Sequence, residues 1–257
     1  MDRLEKIAQF MLDQHKSQQN FQNLPQILMP ENFEEAYEIQ QIFQKNSGRG
    51  KLGGFKIALA SKVQQELCGI DHPIAGGIFA NEIKNSPATF ELDNFHGLGL
   101  EFELAVTLSD DLKPGMEPFD KNNIRQFIKS LSPAFELIID RGADYSNINP
   151  LTMITDNAWC SGIVLGKELP NWEKLNLGII RSKLLWNNEA PQNAMIKDAN
   201  PLESLAWVSN LFISLGRTIP KDSIIITGSV IKTRAPNKGD HIIYKIEDLS
   251  EVEIKVI

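Results

Sequence analysis

A chain of 257 residues, 42% hydrophobic and 23% charged, is long enough for a sizeable core and has the composition of an ordinary globular protein, which excludes disordered, collagenous and disulfide-scaffold classes. The net charge is −7, and no Lys/Arg cluster is interleaved with aromatics, so nucleic acid is not expected as a partner. No apolar run approaches the roughly 18 residues of a membrane-spanning helix, so no membrane partner is expected.

The first segment, MDRLEKIAQFMLDQHK, places Leu4, Ile7, Ala8, Met11, Leu12 and His15 at helical spacing. Acids in its first turn and the lack of an apolar stretch of about 7–15 residues argue against a signal peptide. A Gln/Asn-rich connector follows at 17–24. PENFEEAYEIQQIF opens a second helix, with Asn32 as cap and Glu35 as the reciprocal capping residue. NSGRGKLGG breaks the chain, and without G-K-[ST] it is no phosphate loop. FKIALA reads as a short strand. SKVQQELCG reads as a helix capped by Ser61, with Gln64 at its third position and Gly69 past its end.

After residue 75 the texture changes to short strands with turn punctuation, at 76–80, 97–108, 134–140, 162–166, 177–186, 223–228, 241–246 and 251–257. Two helices interrupt them. One, 120–131, carries Ile124, Phe127, Ile128 and Leu131 on one face. The other, 201–215, is framed by an Asn200 cap, Pro201 at its first position and Gly216 beyond its end. No β-α-β alternation supports a Rossmann or TIM architecture. The expected fold is α+β, with a helical region over 1–50 packed on a strand-rich body over 51–257, one domain overall. Cys68 and Cys160, far apart in apolar surroundings, read as buried free thiols of a reducing compartment, and a cytoplasmic location is expected.

Three strands hold the residues with chemistry to explain. In GLGLEFELAVTL one face is wholly apolar, and the other carries Glu101 and Glu103 among small residues. Side chains at i and i+2 stand only about 6.6 Å apart along a strand, so these acids either face water or share a cation. Glu136, inside the apolar run PAFELII, must be exposed, paired or metal-bound. Asp140 and Arg141 are placed to pair at that strand's end. Three carboxylates on buried strands suit Mg²⁺ or Mn²⁺, which prefer oxygen ligands. Lys56, between Phe55 and Ile57, either snorkels from a strand edge or is a desolvated base or carboxylate binder. Ser61 and the Thr227-Gly228-Ser229 turn either serve local structure or line a ligand. Asp156-Asn157 reads as a turn or a supporting hydrogen-bonding pair. His15, His72, His96 and His241 lack metal-ligand spacing.

In order, these stretches resemble the fumarylacetoacetate hydrolase superfamily, in its 2-keto-4-pentenoate hydratase and 4-oxalocrotonate decarboxylase branch. GGFKIALAS is similar to that branch's G-x-K-x-G-L-T-S, GLEFELAVTL to E-x-E-x-A-F, and PAFELIIDR to P-x-x-E-x-x-D-S-R. DANPLESLAWVSNLFISLGRTIPKDSIIITGS is similar to G-N-P-x-x-A-x-x-W-L-A-N…G…G-D-x-I-L-T-G-S. The likeness covers about residues 35–255. Departures are Ala58 and Ala60 after the lysine, Ile139-Asp140-Arg141 in place of D-S-R, and Lys221-Asp222 in place of G-D. The resemblance implies the superfamily's mixed β-roll, with Glu101, Glu103 and Glu136 as ligands of Mg²⁺ or Mn²⁺. It implies Lys56 and Ser61 as catalytic residues and Thr227, Gly228 and Ser229 as substrate-binding ones. The implied activity is a hydratase of aromatic catabolism that adds water to a 2-hydroxy-dienoate, in its 2-oxo-4-enoate form, giving a 4-hydroxy-2-oxo acid. Alternatives are a 4-oxalocrotonate-type decarboxylase and a non-catalytic partner subunit. The implied assembly is a homo-oligomer, with a related hydratase or decarboxylase subunit as the other partner.

Overall fold

The computed structural model describes residues 2–17 and 19–257. The N-terminal helices form where the caps place them. In α1 (Arg3–Lys16), Asp2 and Glu5 complete a reciprocal capping box. In α2 (Phe33–Asn46), the Asn32 side chain accepts the Glu35 N–H at 2.9 Å. The Glu35 carboxylate does not return to Asn32 as expected; it accepts the Glu31 N–H at 2.6 Å and pairs with Arg3. Ile7, Ala8, Met11 and Leu12 of α1 pack with Ile39 and Phe43 of α2 in a small core of their own.

The body is two mixed β-sheets. Its elements in chain order are β1 (Leu52–Ala58), α3 (Lys62–Leu67), β2 (Ile74–Phe79), β3 (Ile83–Asn85), β4 (Ala88–Phe90), β5 (Leu98–Leu108) and β6 (Ile128–Ile139), then α4 (Pro150–Thr155), β7 (Cys160–Leu165), β8 (Arg181–Trp186), β9 (Gln192–Met195), α5 (Pro201–Ser214), β10 (Ile224–Ser229), β11 (His241–Ile246) and β12 (Ser250–Val256). The seven-stranded sheet runs β2-β1-β10-β5-β6-β7-β3, and the five-stranded sheet runs β4-β12-β11-β8-β9. Phe102 and Phe135 of the large sheet meet Tyr244 of the small one at ring-centroid distances of 5.9 and 6.4 Å. The apolar face of β5 is therefore core between sheets. This is the expected α+β class, with N-terminal helices followed by mixed sheets. No helix among the described residues is long and apolar enough to cross a membrane.

The expected helix at 120–131 is a finding against the sequence pattern. Asp120 accepts the Asn122 and Asn123 N–H groups at 2.7 and 2.9 Å, as a helix cap would. Only a short 3₁₀ turn, Ile124–Phe127, follows, and Ile128 starts β6. Strand pairing with β5 runs from Leu98 opposite Ile139 to Leu108 opposite Ile128. From Ile128 onward that ladder takes up the backbone, and Lys129, exposed between buried Ile128 and Ser130, shows the period of two. Asn200 makes no side-chain cap. It stands in the left-handed region at φ 46°, ahead of Pro201 at the first position of α5. Both cysteines are free, but only Cys160 is buried; Cys68 is half-exposed.

Candidate active site

Strand register brings the acids together. β5 lies between β10 and β6, and Glu101 stands directly opposite Glu136, while Glu103 stands opposite Ser229. A directly opposed pair of like charges destabilises a sheet. Glu103 and Glu136 are completely buried, so the alternative of a solvated face fails there; Glu101 is partly open. One carboxylate oxygen from each of the three lies within 4.8 Å of the others.

The hydrogen bonds to these acids are few. Thr233 Oγ1 donates to Glu101 Oε1 at 2.6 Å, and the Gly228 N–H donates to Glu103 Oε2 at 2.7 Å. An irregularity in pairing between Ile226 and Ser229 aims that N–H out of the ladder. Glu103 Oε1 and Glu136 Oε2 are buried without a hydrogen-bond partner among the described residues. Burial, then the neighbouring Glu136 and Glu101 charges, hold the Glu103 carboxyl well above the usual range. Burial likewise pushes Glu136 up to about 8, against the opposing pull of Lys56. An all-oxygen donor set with uncompensated buried oxygens and mutual repulsion fits a hard divalent cation.

Lys56 on β1 is 2% exposed. Its Nζ lies 2.9 Å from Glu136 Oε1 and donates to the Ala158 carbonyl at 3.1 Å. Burial alone would lower its pKa, but the Glu136 and Glu101 charges outweigh that and hold it above the ordinary lysine value. Lys56 is therefore an ammonium group at neutral pH, not a snorkelling surface residue.

The Ala158 carbonyl is aimed by an unusual turn. Asn157, Ala158 and Trp159 all adopt left-handed backbone, at φ 57°, 51° and 59°, a conformation that costs non-glycine residues energy and needs support from its surroundings. The buried Asn157 side chain supplies support: it accepts from the Gly77 N–H at 2.7 Å and Gln44 Nε2 at 2.8 Å, and donates to the Gly77 carbonyl at 2.8 Å. The neighbouring Gly76 must be glycine, since a Cβ there would sit 2.5 Å from the Asn157 carbonyl oxygen. Asp156, buried one residue earlier, accepts from Arg141 Nη2 at 2.6 Å and Nη1 at 3.2 Å, and pairs with His15 of α1. Asp156-Asn157 is thus the supporting pair. Asp140 does not pair with Arg141; it accepts from the Gly142 N–H and the Tyr145 hydroxyl, at 2.9 Å each. His15, without metal-ligand spacing, has this structural role.

Part of this cluster borders a cavity of about 700 Å³. Lys56, Glu101, Ser61, Gly228 and Ser229 line it, as do Thr233 and Trp207, which the sequence reading passed over. Ser61 forms a capping box with Gln64 at the start of α3, as its spacing indicated. Thr227 is fully buried, donates to the Leu104 carbonyl at 2.9 Å and is not among the lining residues. Ser229 Oγ donates to the Ile231 carbonyl at 2.7 Å and accepts the Phe102 N–H at 2.8 Å. Thr233 had a signal available, as a hydroxyl residue in the loop after the TGS turn. The left-handed Asn157–Trp159 turn had none.

No family model matches the chain. It is 27% identical over 213 residues to a 2-keto-4-pentenoate hydratase of Paraburkholderia xenovorans (strain LB400), covering 81% of this chain and 78% of that one. It is 25% identical over 231 residues to a 4-oxalocrotonate decarboxylase of Pseudomonas putida, covering 88% and 86%. The structure matches that of the 4-oxalocrotonate decarboxylase from Pseudomonas putida G7, complexed with magnesium and adipate, at TM-score 0.88 and 21% identity, over 100% of this chain and 99% of that one. A fumarylpyruvate hydrolase from Pseudomonas aeruginosa, in complex with Mn²⁺ and pyruvate, matches at TM-score 0.56 and 11% identity over 81% of this chain and 90% of that one. A Yersinia pestis CO92 protein described as of the fumarylacetoacetate hydrolase family matches at 0.58 and 14% identity over 79% and 92%. At these identities the solved structures establish the fold, and the sequence relatives show what the chain is similar to. The chain is a relative of the 2-keto-4-pentenoate hydratases and 4-oxalocrotonate decarboxylases, and it has the fold of the fumarylacetoacetate hydrolase superfamily.

Proposed function

We propose that the chain is a divalent-metal-dependent hydro-lyase that adds water to a 2-oxo-4-enoate, formed from a 2-hydroxy-dienoate, to give a 4-hydroxy-2-oxo acid. One observation carries this reading: three clustered carboxylates, two of them completely buried, beside a buried ammonium group at a cavity wall. Glu101, Glu103 and Glu136 would hold Mg²⁺ or Mn²⁺, which when bound supplies Lewis-acid polarisation of the oxygens of a 2-oxo acid. The magnesium and Mn²⁺ complexes of the two structural neighbours support a divalent ion.

The chain's own residues do the rest. Glu136 and the Ala158 carbonyl fix Lys56 Nζ, and we assign to it the proton that goes to the distal carbon of the substrate, replaced by the one released as water adds its hydroxyl to the neighbouring carbon. Gly228 orients Glu103 through its N–H, and Thr233 orients Glu101. Ser61 and Ser229 border the substrate, whereas Thr227 acts by joining β10 to β5. The working form in this reading is a cytoplasmic homo-oligomer.

A decarboxylase of a related 2-oxo acid is the second reading, favoured by the whole-chain match to 4-oxalocrotonate decarboxylase. Ultraviolet absorbance of 2-hydroxypenta-2,4-dienoate, followed with and without EDTA, separates the two. Metal-dependent loss is the expected result. No loss with the dienoate, but metal-dependent carbon dioxide release from 4-oxalocrotonate, would select the decarboxylase; neither would contradict both.

A further inference from the structure

Resting on the proton transfer assigned to Lys56 above, we infer that Asn157 is a positioning residue for Lys56 and that Gln44 of helix α2 acts through it. An ammonium group has three protons to donate. Glu136 Oε1 and the Ala158 carbonyl take two of them, at 2.9 and 3.1 Å. The third is left for the cavity that Lys56 lines. Its direction depends on where those two oxygens stand. Glu136 is fixed by strand pairing on both sides, opposite Glu101 and Ile163. Ala158 lies outside the strands, in the left-handed turn Asn157–Trp159.

That turn is registered against the strand beside Lys56. Lys56 on β1 stands opposite Gly76 on β2, and Asn157 grips the next residue, Gly77, by both its N–H and its carbonyl. A strained backbone of this kind persists only where its surroundings over-determine it, and it marks functional sites. The remaining support comes from the N-terminal helices. Gln44 Nε2 donates to Asn157 Oδ1 at 2.8 Å and to Gln40 Oε1, one turn back on α2, at 3.2 Å. Gln40, Gln44 and Asn157 are all buried. Buried amides are costly unless bonded, but a satisfied network of them specifies one arrangement more sharply than apolar packing does. This network ends one residue from the carbonyl that holds Lys56. Neither Gln44 nor Asn157 lines the cavity, so their effect on substrate passes through the lysine.

Gln44→Met keeps the side-chain length and removes the donor to Asn157. Steady-state kinetics with the dienoate and Mn²⁺, below the melting temperature, should show kcat reduced at least about tenfold, with KM and the Kd of Mn²⁺ within about twofold. Asn157→Gly, which suits the positive φ, should lower kcat at least as much. Gln40→Met is the comparison. It breaks two bonds from the same helix, to the Ala75 and Ile154 carbonyls, and leaves Asn157 its donor. It should lower the melting temperature yet keep kcat within about twofold. An unchanged kcat in Gln44→Met, or an equal fall in Gln40→Met, would overturn the inference, since the network would then serve stability alone. A second readout needs no turnover: the ¹H–¹⁵N spectrum of the metal-free protein, with the Lys56 ammonium signal identified by its loss in Lys56→Met. Gln44→Met should shift that signal and speed its exchange with water at least about fivefold, as for one loosened hydrogen bond. An unmoved signal, or no protected signal in wild type, would overturn the inference. If wild type turns over neither the dienoate nor 4-oxalocrotonate, the functional reading fails, and the spectrum still decides whether Asn157 and Gln44 position Lys56.

Discussion

Lys56 illustrates how burial converts a common residue into a specific one. Its ammonium group is enclosed by Glu136 and the Ala158 carbonyl, and the carboxylates around it keep it charged. Lys56→Met preserves the stem and removes the charge. Glu136, already raised by burial, takes up a proton in the metal-free variant, so the fold survives. Turnover of the dienoate should fall by at least about 10²-fold, the usual worth of a positioned proton-transfer group. Metal affinity should be retained or tightened, because a cation beside the three acids has been removed. A kinetic assay paired with a metal titration checks this split; near-normal turnover would remove Lys56 from the chemistry.

At the scale of elements, legibility followed the strength of local signals. The caps Asn32 and Ser61 marked true helix starts, because a side chain reaching the backbone N–H groups of the next turn is a local event. The apolar alternation of β5 showed its acids at once, since period two is written in the residues. The 120–131 segment misled because Asp120 caps a turn that stops after one 3₁₀ turn, and non-local pairing with β5 decides the rest. The left-handed Asn157–Trp159 turn was invisible for a related reason. Gly77, Gln44 and Arg141 hold it together, and all are distant in sequence.

That turn makes a prediction. Burial would raise the Asp156 carboxyl, but His15 and Arg141 outweigh it and hold it below the usual range. A depressed folded-state pKa contributes stability above the unfolded value, about 3.9, and that stability is lost as pH falls through the lower folded value. Asp156→Asn leaves Arg141 buried without its charge partner. At neutral pH it should cost about 3–5 kcal/mol. The gap between wild type and variant should narrow as pH drops below about 4. Urea melts at several pH values check this; a gap constant with pH would mean that Asp156 contributes no ionic stabilisation.

For the whole molecule, we propose that the 1–50 helices and the 51–257 body are one cooperative unit. Buried polar side chains of α2 cross between them: Gln40 Nε2 donates to the Ala75 carbonyl at 2.8 Å and to the Ile154 carbonyl at 2.9 Å, and the Tyr37 hydroxyl accepts the Ala75 N–H at 3.0 Å. Calorimetry should show a single unfolding transition, with equal calorimetric and van't Hoff enthalpies. A separate early transition for the helices would contradict this.

We propose Glu101, Glu103 and Glu136 as a cation site, and its stability signature is the most direct test. Like-charged acids held together raise one another's pKa and destabilise the metal-free fold. Glu101→Gln and Glu103→Gln each remove one charge with little change of shape. Thermal melts of wild type and both variants, each with and without Mg²⁺ or Mn²⁺, are the measurement. Wild type should gain about 2.7 kcal/mol at a metal concentration a hundredfold above Kd. Both variants should lose most of that gain, yet melt without metal at or above the temperature of metal-free wild type. A wild-type melt unmoved by either ion, with near-zero effect of either substitution, would contradict the metal site and the enzymatic reading built on it.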